Sequence, residues 1–360
     1  MSVEPYHVGL SGDFKKPDGS PTFPDFDLAP LVGALGVKTS FLDPADPITA
    51  AQTADLDALI LLMPRFGRTS LHPNGRLGDV ARFGVGYDNV DVEACTEAGV
   101  ALVITPDGVR RPVAVSILAL MLALACKLLI KDRLTREGPA GFARRVDHMG
   151  VGLVGRTLGA IGIGNIGAEL FRLARPLDMK FIAHDPFANP EGAKELGIEL
   201  VGLEELFRRA DILSVNCPLT DKTRHLVNAE RLGLMKPTAY LINTARGPIV
   251  DQKALTRALL ERRIAGAGLD VLEQEPPDAN DPILKLDNVI LAPHALCWTD
   301  QCFAGNGAAD IRAVLEVMQG REPRGLVNRP VLAMEAWKAR LQRNREYFAH
   351  KYAAHEKGGS

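Results

Sequence analysis

Cysteine is scarce in this chain of 360 residues, and its spacing shows no pattern. No Cys-x-x-Cys pair occurs, which argues against a metal centre and against a disulfide framework. The five cysteines are Cys95, Cys126, Cys217, Cys297 and Cys302. Such usage is typical of a reducing compartment, and the N-terminal MSVEPYHVGLSGDF lacks the basic and apolar regions of a signal peptide. We therefore expect a cytoplasmic protein without a bound metal.

The sequence also has little excess charge of either sign and few long apolar runs. The formal net charge is −2, with no long single-sign run, so nothing indicates a nucleic-acid partner. The apolar stretch Val113–Cys126 has about 14 residues, fewer than the ~20 that span a bilayer. We expect a buried helix with Pro112 in its first turn, and no membrane partner.

What the sequence does contain is a regular alternation of short apolar runs and amphipathic segments such as Gln252–Arg262. This alternation predicts an α/β protein with parallel sheets and helices on both faces. The predicted strands are His7–Leu10, Leu59–Met63, Val80–Phe83, Val100–Ile104, Leu158–Ile163, Lys180–His184, Ile212–Asn216, Tyr240–Asn243, Ala267–Val271 and Val289–Ala292.

The order of these segments predicts two domains and an extension. The larger unit spans residues 110–298, and a predicted helix at Thr299–Gly320 would return the chain to the smaller unit before it. We therefore predict a discontinuous domain of residues 1–109 and 299–330. Residues 331–360 are predicted to form a C-terminal helical extension with an apolar face. We expect it to dock on the protein's own surface or a second subunit, with a membrane-surface helix as the weaker alternative.

A glycine-rich turn, LGAIGIGNIG, follows one of the predicted strands. Gly162 permits a tight turn, Gly164 lets a pyrophosphate approach the backbone, and Gly167 allows a helix to pack closely on the strand. The helix N-terminus near Asn165 and Ile166 would offer N–H groups to phosphates. The pattern predicts a dinucleotide site and makes residues 110–298 the nucleotide-binding Rossmann domain, and a plain structural turn is the alternative.

An acidic residue follows at a spacing that suits a ribose. Asp185 lies after the predicted strand Lys180–His184, roughly 20 residues beyond the glycines, where an acid binds ribose hydroxyls. Its carboxylate would repel a 2′-phosphate, and neither His184 nor Pro186 provides a cationic pocket. The sequence therefore predicts a strong preference for NAD over NADP.

A guanidinium, a carboxylate and an imidazole follow in order. They belong to Arg246 in Asn-Thr-Ala-Arg-Gly, Glu275 in Glu-Gln-Glu-Pro-Pro and His294 in Ala-Pro-His. A forked cation holds a substrate carboxylate, an imidazole moves a proton near neutral pH, and a carboxylate orients it. This set matches the requirements of hydride transfer to a 2-oxo acid.

Over roughly residues 79–320 the chain resembles the D-isomer-specific 2-hydroxyacid dehydrogenase family, which includes phosphoglycerate dehydrogenases. The landmarks are Arg82-Phe-Gly-Val-Gly-Tyr-Asp-Asn-Val-Asp91, the glycine turn with Asp185, Cys217-Pro-Leu-Thr220, Asn243-Thr-Ala-Arg-Gly247, Gly268-Leu-Asp-Val271, Glu275-Pro276 and Pro293-His294. The resemblance implies two Rossmann- or flavodoxin-like domains, one binding substrate and one binding NAD, with the active site in the cleft between them. It also implies a homodimer, for which residues 131–156 are the candidate contact.

The resemblance further implies a role for each catalytic group. Arg246 would bind the substrate carboxylate and polarise the 2-oxo group. His294 would be the general acid in reduction and the general base in oxidation. Glu275 would contact the other ring nitrogen of His294, and Glu273 is its local competitor for that contact.

Other positions complete the expected site. The predicted cofactor site also includes Cys217, Thr223, Thr244 and Asp270. Asp270 would hold the nicotinamide carboxamide, and an ordinary turn aspartate is the alternative. In the other domain, the backbone N–H groups of the loop that contains Gly84, Val85 and Gly86 would bind the substrate carboxylate. A plain glycine turn is the alternative for this loop.

The chain also departs from the family pattern. Arg110 and Arg111 would either reach the cleft and select an acidic or polar substrate, or remain solvated at the start of a helix. Trp298 stands where many relatives have small residues, which predicts a distinct side-chain pocket. The alternative function is that of an NAD-binding corepressor-like regulatory protein with little turnover.

Overall fold

The computed structural model describes residues 4–358, and it describes side chains for residues 4–350. The chain forms two compact units: Met1–Val109 together with Thr299–Ser360, and Arg110–Trp298. The segment after residue 330, which the sequence analysis treats as a separate extension, belongs to the first unit.

The strands in chain order are β1 (Tyr6–Leu10), β2 (Val37–Phe41), β3 (Ala58–Leu61), β4 (Asp79–Arg82), β5 (Ala101–Ile104), β6 (Thr157–Ile161), β7 (Lys180–His184), β8 (Ile198–Leu200), β9 (Ile212–Val215), β10 (Tyr240–Asn243), β11 (Gly266–Leu269) and β12 (Val289–Leu291). The helices are α1 (Ala29–Val32), α2 (Ala50–Thr53), α3 (Val92–Glu97), α4 (Pro106–Ala125), α5 (Leu128–Arg136), α6 (Pro139–Ala143), α7 (Asn165–Ala174), α8 (Pro190–Glu195), α9 (Leu203–Arg209), α10 (Ala229–Leu234), α11 (Gln252–Leu260), α12 (Asp300–Met318) and α13 (Glu335–Gly358).

The first unit is built on a five-stranded parallel sheet in the order β2-β1-β3-β4-β5. This is the flavodoxin-like strand order. The C-terminal helix α13 packs on the same unit, because Trp337 is only 1% exposed and lies in a core with Ala101, Val317 and Val331. Part of the tail is therefore core of the first unit.

The second unit carries a seven-stranded parallel sheet in the order β12-β11-β10-β9-β6-β7-β8. Within this sheet the chain begins with the central strand β6, continues outward to β7 and β8, and then returns to β9 on the other side of β6. The direction of winding thus reverses between β6 and β9, which creates the crevice where doubly wound sheets bind ligands. The predicted α/β class with parallel sheets is confirmed.

Helix α4 corrects one prediction. The helix begins at Pro106, so Pro112 lies inside it rather than in its first turn. Thr105 precedes the helix and Pro106 suits its first position, so the start signal lies upstream of the apolar run. With 20 residues the helix has the length and hydropathy of a membrane span, but half of its most apolar window is buried in the protein. The feature that α4 shares with the core helix of a soluble protein is therefore its partial burial, and not a short length.

Strands β2 and β8 were not predicted from the sequence. Both are edge strands with a single partner. Most of their residues are at least partly exposed, so VKTSF and the three-residue β8 lack the apolar run on which the prediction relied.

Candidate active site

The candidate site residues of the second unit follow neighbouring strands at one edge of its sheet. The last residues of five strands lie in one row, from Ile161 through Val215, Asn243 and Leu269 to Leu291. Since all the strands are parallel, the segments that follow them leave the sheet on the same edge. Five motifs that are far apart in the sequence are thereby brought together.

The glycine turn connects β6 to α7. Gly162 has a φ of +91°, a left-handed conformation that favours glycine. A Cβ atom on Gly167 would lie 2.4 Å from the carbonyl oxygen of Gly162, whereas a Cβ on Gly164 would meet nothing within 4 Å. Helix α7 begins at Asn165, so its unpaired first N–H groups, including that of Ile166, border open space. This geometry suits the pyrophosphate of a dinucleotide.

Asp185 directly follows β7 and is bound to the glycine turn. Its Oδ2 accepts a hydrogen bond from the Ile163 N–H at 2.9 Å, and its Oδ1 accepts one from the Phe187 N–H at 2.9 Å. Each carboxylate oxygen has a second lone pair, so these bonds orient the carboxylate and leave acceptors for ribose hydroxyls. The residues present therefore fit a dinucleotide.

His294 and Glu275 are in direct contact. The Nδ1 atom of His294 lies 2.7 Å from Oε2 of Glu275, and both side chains are partly exposed. His294 has a φ of +55°, and its backbone N–H donates to the Asp270 carbonyl at 2.7 Å. The turn after β12 thus presents the ring, and the carboxylate leaves Nε2 as the nitrogen available for a reacting group.

Glu275 is held in its charged form. Burial by itself would raise its pKa, but hydrogen bonds from His294 and from the Leu272 N–H, together with the charges of His294 and Arg246, lower the pKa below its ordinary value. The Leu272 N–H donates to Oε1 at 2.8 Å. Each oxygen of the carboxylate therefore has its own partner, and the His294 ring has a fixed one.

Arg246 follows β10 in a turn that Asn243 holds. The Asn243 side chain accepts a hydrogen bond from the Ala245 N–H and donates one to the Arg246 carbonyl, each at 3.0 Å. The guanidinium donates to the Ala245 carbonyl at 2.8 Å. Its charge helps to lower the pKa of Glu275. The positive charge of Arg246 therefore acts on the carboxylate that is paired with His294.

Asp270 has a task that the sequence pattern does not reveal. It is 4% exposed, and its Oδ1 accepts hydrogen bonds from the N–H groups of Ala295 and Leu296 at 3.0 and 3.1 Å. Burial raises its pKa, although these bonds act in the opposite direction. Asp270 therefore holds the loop that carries His294.

The remaining predicted cofactor residues lie at the same sheet edge. Cys217 follows β9 with its backbone against Gly162, and burial raises the pKa of its thiol to about 11. Thr223 Oγ1 donates to the Pro218 carbonyl at 2.6 Å and accepts from Thr220 N–H at 2.7 Å, which closes the loop after β9. Thr244 follows β10 directly.

The glycine loop of the first unit differs in one respect from its predicted use. The Gly84 N–H donates to Oγ1 of Thr105 at 2.8 Å, and this hydroxyl donates to Oδ1 of Asn306 at 2.8 Å. The Gly84 N–H is therefore already engaged by a buried hydroxyl and is not available to a substrate in this conformation. For the N–H groups of Val85 and Gly86, carboxylate binding stays a prediction.

The two unusual arginines lie inside α4 and not at its start. Arg111 pairs with Glu169, and its hydrogen bond lowers the pKa of that carboxylate. Trp298 is 43% exposed. Asn243, which holds the Arg246 turn, was not predicted as a site residue. Its position at the end of a strand in Asn-Thr-Ala-Arg carries a usable turn signal.

A glycine turn at the switch point, an acid after the next strand and a His–Glu pair beside an arginine are the features expected of a dinucleotide-dependent oxidoreductase. A sequence profile of the D-isomer-specific 2-hydroxyacid dehydrogenase NAD-binding domain matches residues 118–295. Because relatives at about 40% identity also match over most of both chains, the chain belongs to the D-isomer-specific 2-hydroxyacid dehydrogenase family. It is an NAD-dependent enzyme.

Known relatives agree with this assignment. A glyoxylate reductase of Korarchaeum cryptofilum is 39% identical over 80% of this chain and 88% of its own. A D-3-phosphoglycerate dehydrogenase of Methanocaldococcus jannaschii is 38% identical over 78% of this chain and 53% of its own. The crystal structure of a glyoxylate reductase from Paecilomyes thermophila superposes with a TM-score of 0.76 at 26% identity, covering 91% of this chain and 99% of that one.

Proposed function

We propose that this enzyme reduces a 2-oxo acid to a D-2-hydroxy acid with His294 as its acid-base group. The observation that carries the proposal is the 2.7 Å contact between His294 Nδ1 and Glu275 Oε2, at the sheet edge that also bears the glycine turn. When bound, NADH supplies the hydride. Since Glu275 occupies Nδ1, Nε2 would give its proton to the 2-oxo oxygen in reduction and accept the hydroxyl proton in oxidation.

Arg246 is the proposed anchor for the substrate carboxylate. A guanidinium can bind both carboxylate oxygens at once, which fixes the orientation of the oxo group as well as its place. The side chain is partly buried beside the His294 pair, so the same cation also favours negative charge that develops on the 2-oxo oxygen. For the N–H groups of Val85 and Gly86 in the first unit, carboxylate binding stays a prediction from the sequence.

The proposed cofactor site follows the sheet edge of the second unit. The pyrophosphate would lie on the glycine turn and the first turn of α7, and the ribose on Asp185. The remaining proposed contacts are Cys217, Thr223, Thr244 and Asp270. Because Asp185 carries a negative charge where a 2′-phosphate would lie, we propose a strong preference for NAD over NADP.

The proposed substrate is a small 2-oxo acid, with glyoxylate as the first candidate, since the relatives matched over most of their length include glyoxylate reductases. A panel of glyoxylate, hydroxypyruvate, pyruvate, phenylpyruvate and 3-phosphohydroxypyruvate, assayed by NADH absorbance, tests this proposal. The highest kcat/KM should fall on one of the small acids. A clear preference for phenylpyruvate would contradict the proposal.

Two substitutions test the assigned roles. His294→Ala should lower kcat by about 10²–10⁴, the usual contribution of a positioned acid-base group. Arg246→Lys keeps the charge but loses the fork, so it should raise the KM for the 2-oxo acid. The control is His350→Ala, an exposed histidine of α13. Unchanged turnover of His294→Ala would remove this residue from the mechanism.

The proposed assembly is a homodimer in the cytoplasm. The segment around α5 and α6 exposes an unusual number of large apolar side chains, which is typical of a contact surface. They are Leu128, Leu129, Phe142, Val146, Met149 and Val154. Light scattering should give a dimer mass for the wild type, and Val146→Asp with Met149→Asp should shift the protein to the monomer. A monomeric wild type contradicts the proposal.

A further inference from the structure

The structure contains a second histidine–carboxylate pair, whose carboxylate lies close in sequence to Glu275. Nε2 of His225 is 2.7 Å from Oε1 of Glu273. His225 belongs to the loop between β9 and α10, and Glu273 stands two residues before Glu275. The proposed mechanism uses neither residue.

Glu273 is also bound to the start of helix α11 in both directions. Its backbone N–H donates to Oε1 of Gln252 at 2.8 Å, and its Oε2 accepts from the backbone N–H of Gln252 at 3.1 Å. The Gln252 side chain continues to Oδ2 of Asp281 at 2.6 Å. Glu273 is thus connected to a helix and to the loop after β9 at once.

These bonds act on a segment that has no regular structure of its own. Between β11 and the 3-10 turn Pro282–Lys285, the described chain contains no helix or strand. Side-chain bonds must therefore set its conformation. Leu272, which donates its N–H to Glu275, directly precedes Glu273. A displacement of residue 273 would move both the donor to Glu275 and the backbone that carries Glu275.

We infer that Glu273, held by Gln252 and His225, is a positioning residue that fixes Glu275 against His294. The inference rests on the proposed role of His294 and extends it. Glu273 touches neither ring nitrogen of His294, and it acts by keeping the 272–275 segment in register with the loop after β12. His225 and Gln252 hold it from two different elements, so the loss of either one weakens the arrangement less than the loss of Glu273.

The main test is Glu273→Ala. A displacement of about 1 Å in a catalytic group can lower turnover by about 10², so we expect kcat to fall by about 10- to 100-fold. The KM for NADH should stay within about twofold, because the hydrogen bonds of Glu273 go to His225 and Gln252 and to none of the proposed cofactor contacts. Glu273→Gln keeps an oxygen for the Gln252 N–H and should recover most of kcat. The control is Glu199→Ala, which breaks an exposed ion pair with Arg209 in the same unit.

A double-mutant cycle separates positioning from general stability. If Glu273 acts through Glu275, Glu273→Ala should cost little further kcat in a Glu275→Gln background, because interacting residues are not additive. Additive losses in the double variant, or a Glu273→Ala kcat within twofold of the wild type, would overturn the inference.

A readout independent of turnover tests the same contact. The ring proton of His294 that bonds to Glu275 should give a downfield proton resonance, assigned by its loss in His294→Gln. Glu273→Ala should broaden or remove that resonance, and Glu199→Ala should retain it. Full retention in Glu273→Ala refutes the inference. If the wild type reduces none of the 2-oxo acids but this resonance responds as expected, the proposed reaction fails and the positioning inference stands.

Discussion

Gly247→Ala is the substitution whose effect can be worked out most directly from the structure. Gly247 follows Arg246, and its backbone packs directly on the segment that leads to Glu275. A Cβ atom at this position would lie 1.8 Å from the Leu272 carbonyl oxygen, 2.0 Å from its carbon and 2.5 Å from the Glu273 nitrogen. All three are backbone atoms, so no flexible side chain can move aside.

The size of the effect follows from this overlap. Non-bonded carbon contacts are most favourable near 3.5–4.0 Å, so the two backbones must separate by about 1.5 Å. Inserting a methyl group into packed surroundings commonly costs about 1–3 kcal/mol, and about 1 kcal/mol lowers the Tm of a unit of this size by roughly 2–4 °C. Displacement of catalytic groups by about 1 Å can cost about 10² in rate.

We expect Gly247→Ala to impair both segments that meet at this contact, and so to change both KM and kcat. The Arg246 turn carries the proposed carboxylate anchor, so the KM for the 2-oxo acid should rise. The Leu272–Glu275 segment holds His294, so kcat should fall. Together we expect kcat/KM to drop by about 10²-fold, measured by NADH absorbance at saturating NADH, with the Tm measured in parallel.

The matched control is Gly233→Ala. Gly233 lies in helix α10 of the same unit, and a Cβ there would meet nothing within 4 Å. Alanine is the better helix former by about 1 kcal/mol, so the Tm should stay equal or rise, and kcat/KM should not change. If Gly247→Ala keeps kcat/KM within twofold of this control, the packing of the Arg246 turn on residues 272–273 does not position the site.

Three further predictions concern single carboxylates. Asp185→Ser should raise the kcat/KM for NADPH relative to NADH by about 10-fold or more, roughly 1.4 kcal/mol; an unchanged ratio contradicts its role against a 2′-phosphate. The pKa of Glu275 is lowered from 4.5 in the folded protein, so its stabilisation is present above pH 4.5 and is lost as the pH falls through the folded pKa. The Tm difference between the wild type and Glu275→Gln should therefore close as the pH falls from about 5 to about 3, and a difference that grows over that range would refute the sign. Burial raises the pKa of Asp310, whose carboxylate oxygens have no hydrogen-bond partner among the described residues. Its ionisation therefore destabilises the fold increasingly above pH 3.8, and Asp310→Asn should raise the Tm more at pH 8 than at pH 4; an equal change at both values contradicts this reasoning.

Local sequence patterns predicted those elements whose conformation depends on neighbouring residues in the chain. Buried parallel strands need continuous apolar runs, and ten of the observed strands carry them closely enough to be predicted, whereas the edge strands β2 and β8 do not. The glycine turn was predictable because Gly162 and Gly167 meet steric demands made by the adjacent strand and helix. The acid at position 185 was predictable because strand and turn lengths are narrowly distributed.

Contacts between distant segments were decided by the tertiary structure alone. The strand order brings the turns at Arg246, Glu275 and His294 to one edge, and no pattern within any one of them specifies that order. The same applies to the partner of Glu273, which is His225, and to the Gly84 N–H, which is bonded to Thr105. A side chain's residue type states which bonds it can form, but the bond it does form depends on what the folded chain places within about 3 Å. The sequence by itself determined the chemical groups and the class of fold, and packing determined which of those groups meet.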